Sequence, residues 1–165
     1  MALESWLCRK NGMAKKPTVA DAQLIVQLYD LRRESEMRKA RAWWTTEFFP
    51  ETADDFLKVA WAMGTQENAW LRQVSGYWGL VSSFVNHGVL NEQLFLAPGF
   101  SGELFLIYAK IHPFMTELRQ KLNDAQAFKD VETAVTRTQW GRDRLEFMIQ
   151  RVANLREKRK AASSS

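Results

Sequence analysis

The stretch TQENAWLRQVSGYWGLVSSFVNHG, Thr65 to Gly88, decides how this chain is read. Its large apolar residues fall at Trp70, Val74, Tyr77, Trp78, Val81, Phe84 and Val85. Those steps of three and four lay one broad stripe along a helix of about 3.6 residues per turn. Thr65 is placed to accept a backbone N–H as N-cap, and Gly88 to take the left-handed conformation that ends a helix. Gly76 and Gly79 flank the Tyr77–Trp78 pair. Each costs about 1 kcal/mol relative to alanine inside a helix, which predicts that another backbone approaches there. The spacing therefore predicts the most buried helix of a bundle.

Outward from that helix, the same spacing recurs. A first long helix is expected from Pro17 to about Phe48, with apolar contacts at Ala22, Ile25, Val26, Tyr29, Met37, Ala40, Trp43, Trp44 and Phe48. Glu34 and Arg38 are spaced for an ion pair on its outer face. Pro50 ends it, and Thr52 with Asp54 and Asp55 opens the next segment. Phe56, Val59, Ala60 and Met63 follow at helical spacing, and Gly64 closes that segment. Asn91 caps a short helix, and Ala97–Gly102, with its Pro-Gly step, reads as a turn. Leu104, Ile107, Tyr108, Ile111, Phe114, Met115, Leu118 and Leu122 mark another helix, which Pro113 bends without stopping. Asn123-Asp124 caps the last segment, whose stripe runs through Leu145, Ile149 and Val152 to Leu155, with a bend at Trp140-Gly141.

The fold class expected is all-α, a bundle of four long helices plus one short helix, with one helix kinked at Pro113. It forms a single domain over residues 17–156, between a disordered or weakly amphipathic arm at 1–16 and a polar basic tail at 157–165. Met13-Ala-Lys-Lys within the arm resembles a translation start. At 165 residues the chain is long enough for one domain with a real core.

Composition narrows the function classes. The chain is 46% hydrophobic and 25% charged, as in ordinary globular proteins, while seven Trp and ten Phe are a heavy aromatic load. Cys8 is the lone cysteine, so no internal disulfide forms. Residues 1–12 lack the basic start and apolar run of a signal peptide. The densest apolar run, Leu104 to Met115, is broken by Lys110, His112 and Pro113 and is shorter than the roughly 20 residues of a membrane span. A cytoplasmic chain without a membrane span is expected. The net charge of +4 is uneven: residues 1–16 carry +3 and residues 151–160 carry +4, which leaves the body at −3. A basic groove on the core is thereby disfavoured.

Catalytic and metal patterns are sparse. His87 and His112 are isolated, with no His-x-x-x-His, Glu-x-x-His or Cys-x-x-Cys spacing, so neither a zinc protease nor a di-iron bundle is indicated. Arg72 stands too far from His87 for a helical ribonuclease site. Phosphate-binding loops and nucleophile elbows are missing from the sequence. Asp54 and Asp55 are adjacent, hence about 100° apart on a helix, and serve as helix-start acids. No catalytic residue, metal or cofactor is expected.

The remaining constellation is aromatic and basic. Trp43, Trp44, Phe48 and Phe49 follow Arg38-Lys39-Ala40-Arg41. Either a helix sandwiched between neighbours buries both members of each pair, or one member of each looks outward. In the second case, Trp43, Trp44, Phe48, Phe49, Arg38 and Arg41 form a protein contact or a stacking platform for bases. The basic tail, Arg156, Lys158, Arg159 and Lys160, is the nucleic-acid alternative. The function expected is a non-enzymatic helical interaction or scaffold protein, self-associating as a homodimer through its first or last helix or binding another protein.

Three segments, QENAWLRQVSGYW within residues 65–78, HGVLNEQLF and APGFSGELF, resemble stretches of small all-helical bacterial proteins of unknown function. The resemblance spans Thr18 to Arg156. It implies an all-helical fold and a bacterial origin, and its motifs are packing and capping signatures that carry no catalytic residue.

Overall fold

The computed structural model describes residues 16–163. Expectations for the arm at 1–15, with Cys8 and the start at Met13, lie outside the described residues. Among the described residues every regular element is helical. In chain order these are α1 (Val19–Leu31), α2 (Ser35–Thr46), α3 (Ala53–Ala60), α4 (Gln66–Asn86) and the short α5 (Glu92–Phe95). Then come α6 (Pro98–Ile111), a 3₁₀ turn (His112–Phe114), α7 (Met115–Leu122), α8 (Lys129–Thr136) and α9 (Gln139–Ser163).

The helix at 65–88 forms as its caps and stripe dictate. Thr65 accepts from the Asn68 N–H at 3.2 Å, and Gly88 lies at φ +69° just beyond the C-cap. Leu71, Val74, Trp78, Val81 and Val85 are buried, with Trp70, Tyr77 and Phe84 packed at the edge. α4 packs against α2 on one side and α8 on another, with α3 across its start, while α6 packs against α9. The glycine expectation is overturned. A methyl added at Gly76 or Gly79 meets nothing within 4 Å, because both face an open groove.

Several expected long helices are divided, each for a local reason. The segment 17–48 is two helices because Glu34 turns back as the N-cap of α2, accepting the Met37 N–H at 2.8 Å. That use of its carboxylate replaces the expected pairing with Arg38, and the Met37 hydrogen bond holds its pKa down. Residues 98–102, expected as a turn, are the first turn of α6, with Pro98 where a helix tolerates a missing N–H. At Pro113 the α-helical pattern gives way to the 3₁₀ turn, and α7 resumes with Met115 and Leu118 still buried. Asn123, expected as an N-cap, instead ends α7 at φ +50°. α8 and α9 are separate, and their junction requires Gly141: a Cβ there would stand 2.6 Å from the Val135 carbonyl oxygen. α9 then continues through the expected tail to Ser163.

Candidate functional site

α6 contains two charged residues in an otherwise apolar helix, Glu103 and Lys110. Each organises a polar centre. Glu103 draws together four helices: its carboxylate accepts from Arg41 Nη2 at 2.6 Å, Arg32 Nη2 at 3.0 Å and Trp78 Nε1 at 3.1 Å. The Glu103 side chain is 8% exposed, so this is a desolvated cluster of two guanidiniums and one carboxylate. Arg32 also lies 5.2 Å from the Trp78 ring, and Tyr77 donates to the Leu28 carbonyl beside it at 2.9 Å. Burial pushes the Tyr77 phenol up to about 12.

Lys110 is fully buried. Its ammonium donates to the carbonyls of Trp44, Thr45 and Phe48, the last at 2.9 Å, and lies 3.5 Å from the centre of the Phe49 ring. Arg159 donates to the Thr46 carbonyl at 2.7 Å, and Arg156 donates to the carbonyls of Pro50 and Lys110. Lys110 from α6 and Arg159 from α9 thus satisfy the carbonyls that α2 leaves unpaired at its C-terminal end, where its dipole favours positive charge, and Arg156 ties the following Pro50 to α6. Burial, then Arg156 and Arg159, push the Lys110 ammonium down to about 7.

These centres absorb most of the residues singled out in the sequence. Trp43, Trp44 and Phe48 are buried in the core, Trp43 stacked on Phe48 at 4.5 Å, so both members of the Trp pair face inward. Phe49 is partly buried between Lys110 and Arg159. Arg41 serves Glu103, and Arg38 is exposed on α2. Arg156 and Arg159 are committed to backbone carbonyls, Lys160 pairs with Glu51 at 3.2 Å, and Lys158 is exposed. Leu145 and Val152 are buried, with Ile149 packed beside them. The signal in the sequence that marks Glu103 and Lys110 is their isolation among apolar neighbours.

A third centre fastens α8. Although burial alone raises it, hydrogen bonds from Lys129, Arg119 and Tyr108 hold the Glu132 carboxyl down at about 2. Burial and the Glu132 carboxylate together push the Tyr108 phenol upward. His87 binds the Ser83 carbonyl through Nδ1 at 2.9 Å, and His112 packs against the Tyr108 ring. Among the described residues no group of three or more His, Cys, Asp or Glu side chains gathers to hold a metal, and no helix is long and apolar enough to cross a membrane.

Two further open surfaces stand out by their apolar lining. The first is a mainly apolar cleft of about 790 Å³ where the end of α4, α5 and the start of α9 meet, with Leu90, Leu96 and Trp140 in its wall. The Glu92–Arg137 ion pair, 2.9 Å long, stands at its rim. The second is the outer face of α1. Val19 is 75% exposed, Val26 67% and Tyr29 51%, with Ala22 exposed between them. The sequence placed Ala22, Ile25, Val26 and Tyr29 on one inward stripe; of these only Ile25 is buried, together with Leu28.

No curated protein and no solved structure matches this chain. Residues 17–138 match the family described as Domain of unknown function (DUF4760), a span that reaches from the capping residues of α1 to the end of the α8–α9 junction. With some three-quarters of its length matched, the chain belongs to the DUF4760 family.

Proposed function

We propose that this protein is a non-enzymatic helical interaction protein that pairs with a second copy of itself along the outer face of α1. The observation that supports the reading is the exposed stripe Val19, Ala22, Val26 and Tyr29, whose steps of three, four and three are the a and d spacing of a helix–helix seam. Single exposed apolar residues are ordinary, whereas a contiguous row at this spacing is a contact surface.

An antiparallel pair about a two-fold axis near Leu24 sets Val19 against the second copy's Tyr29, and Ala22 against its Val26. The same axis brings Lys16 toward the second copy's Asp30, so the flanking charges are complementary. A 13-residue helix is about 20 Å long. Such a seam is smaller than the roughly 800 Å² per partner of a stable interface, so the association is reversible and depends on concentration.

Light scattering behind a low-salt sizing column tests this, with absorbance at two wavelengths to report nucleic acid. The reading expects a nucleic-acid-free dimer whose share grows with loading concentration and which Val26→Asp abolishes. A monomer at every concentration, or a dimer indifferent to Val26→Asp, ends it. A species carrying nucleic acid that salt strips away would instead favour nucleic-acid association through exposed cations such as Arg151 and Lys158.

A further inference from the structure

We infer that the cleft beside α5 binds a carboxylate with an apolar body, such as a medium-chain fatty acid, whose head group is held by Arg144. Arg144 stands one turn after Trp140 on α9. Its guanidinium lies 5.5 Å from the centre of the Trp140 ring and 5.5 Å from that of Phe105. Trp140 forms part of the cleft wall, so this cation stands at the edge of the cleft. A Cβ at Gly102 would be 3.7 Å from Arg144 Nη2, which places the guanidinium against the start of α6.

The charge of Arg144 has no counterpart in the protein. Among the described residues it has neither an ion-pair partner nor a hydrogen-bond acceptor, and its Nε is buried without a partner. Neighbouring charges are committed elsewhere. Arg137 pairs with Glu92, Arg142 donates to the carbonyls of Thr136 and Arg137, and Asp143 and Glu146 accept from Gln139 and Gln150. Arg144 is partly buried, and a cation that loses water without gaining an acceptor is destabilised. The two aromatic rings hold it in place. Its N–H donors stay open, in the planar fork that matches a carboxylate.

The cleft supplies the other half of the site. At about 790 Å³ it lies in the roughly 300–1,000 Å³ range of small-molecule pockets. Its lining is mainly apolar, with Leu90, Leu96 and the 43% exposed Trp140 available to an aliphatic chain. The rim ion pair of Glu92 and Arg137 is closed on itself, so the head group is directed to Arg144.

Titration of the full chain with decanoate, decanol and decylamine tests this, by calorimetry and by the indole N–H signals of the tryptophans. Decanoate is expected to bind once per chain, on the order of ten-fold more tightly than decanol, with decylamine weaker still. The Trp140 signal should shift, and that of Trp61, beyond the opposite end of α4, should not. Arg144→Gln should bring decanoate down to the affinity of decanol, and its retained decanol binding shows that the cleft is intact. Trp140→Ala should weaken both ligands, whereas Val26→Asp on the α1 face should bind as the wild type does. Failure to bind decanoate, equal affinity for the three head groups, or a preference that survives Arg144→Gln overturns the proposal. Equal shifts at Trp61 and Trp140 overturn it as well, since they mark unspecific association.

Discussion

Lys110 Nζ lies 3.5 Å from the centroid of the Phe49 ring, and Arg159 lies 4.7 Å from the same centroid. Phe49 is therefore held between cations from two helices, and those cations close the C-terminal end of a third. The attraction of a cation to a desolvated aromatic face reaches about 2 kcal/mol. It acts here together with charge-assisted hydrogen bonds to carbonyls that would otherwise be orphaned. Helix α2 ends without a basic residue of its own in the last turn, so its cap is supplied through tertiary contacts.

Lys110→Met is expected to destabilise the fold by about 3 kcal/mol or more, because buried carbonyls left without donors cost about 1–3 kcal/mol each. The pH dependence carries the signature. A lysine whose pKa falls from 10.5 in the unfolded chain to about 7 in the folded one binds more protons when unfolded between those values. Its penalty is complete below pH 7 and is relieved as pH rises towards 10.5, so stability from this group increases across that window. Urea unfolding of the wild type and Lys110→Met from pH 6.5 to 10 should show the wild type gaining on the variant. A constant difference would contradict the burial of the charge.

Glu103→Gln leaves Arg32 and Arg41 facing each other without a counter-charge and is expected to cost about 3 kcal/mol. Adding Arg41→Met to that variant should restore part of the loss, since it removes one of the two uncompensated cations. Unfolding midpoints of the two singles and the double variant form a cycle, and additive effects would show that Arg41 and Glu103 are not coupled.

Glu132 contributes in the acid range. Its pKa is lowered from 4.5 to about 2, so its contribution is complete above the unfolded value and is lost as pH falls from about 4.5 to 2. Between pH 5.5 and 2 the stability advantage of the wild type over Glu132→Gln should shrink by on the order of 3 kcal/mol. Thermal unfolding at stepped pH measures it, and parallel curves would count against the linkage.

Three glycines separate propensity from packing. Gly76→Ala and Gly79→Ala place a methyl where nothing stands within 4 Å and should each stabilise by about 0.5–1 kcal/mol. Gly141→Ala forces a methyl to within 2.6 Å of the Val135 carbonyl oxygen and should lower the melting temperature. The same substitution thus changes sign with position, and calorimetry on the three variants checks it.

Much of the fold was legible locally. The caps at Thr65, Thr52 and Asn91 depend on a few neighbouring residues and all form, and of the stripe from Trp70 to Val85 the residues Val74, Trp78, Val81 and Val85 are buried, with Trp70, Tyr77 and Phe84 at its edge. Breaks were harder to read, because apolar spacing continues across them. Leu118 stays in phase with Ile111 even though a 3₁₀ turn intervenes, and the stripe from Ile25 to Met37 conceals the cap at Glu34. Trp43 and Trp44 show the opposite ambiguity. Adjacent residues on a helix point about 100° apart, and only the arrangement of neighbouring helices determines whether both directions are interior.

By itself, then, the sequence determined an all-helical chain, the family it belongs to and the caps of helix α4, because helix caps and apolar periodicity act over a few residues, whereas the most fully buried helix is α6. The tertiary structure alone decided the destinations of the charges. Arg156 and Arg159, which read in sequence as a solvated basic tail, lie more than 100 residues from Pro50 and Thr46, the backbone groups they satisfy. A guanidinium is held wherever carbonyls or a carboxylate converge on it. That convergence is a property of helices packed together, and no local pattern encodes it.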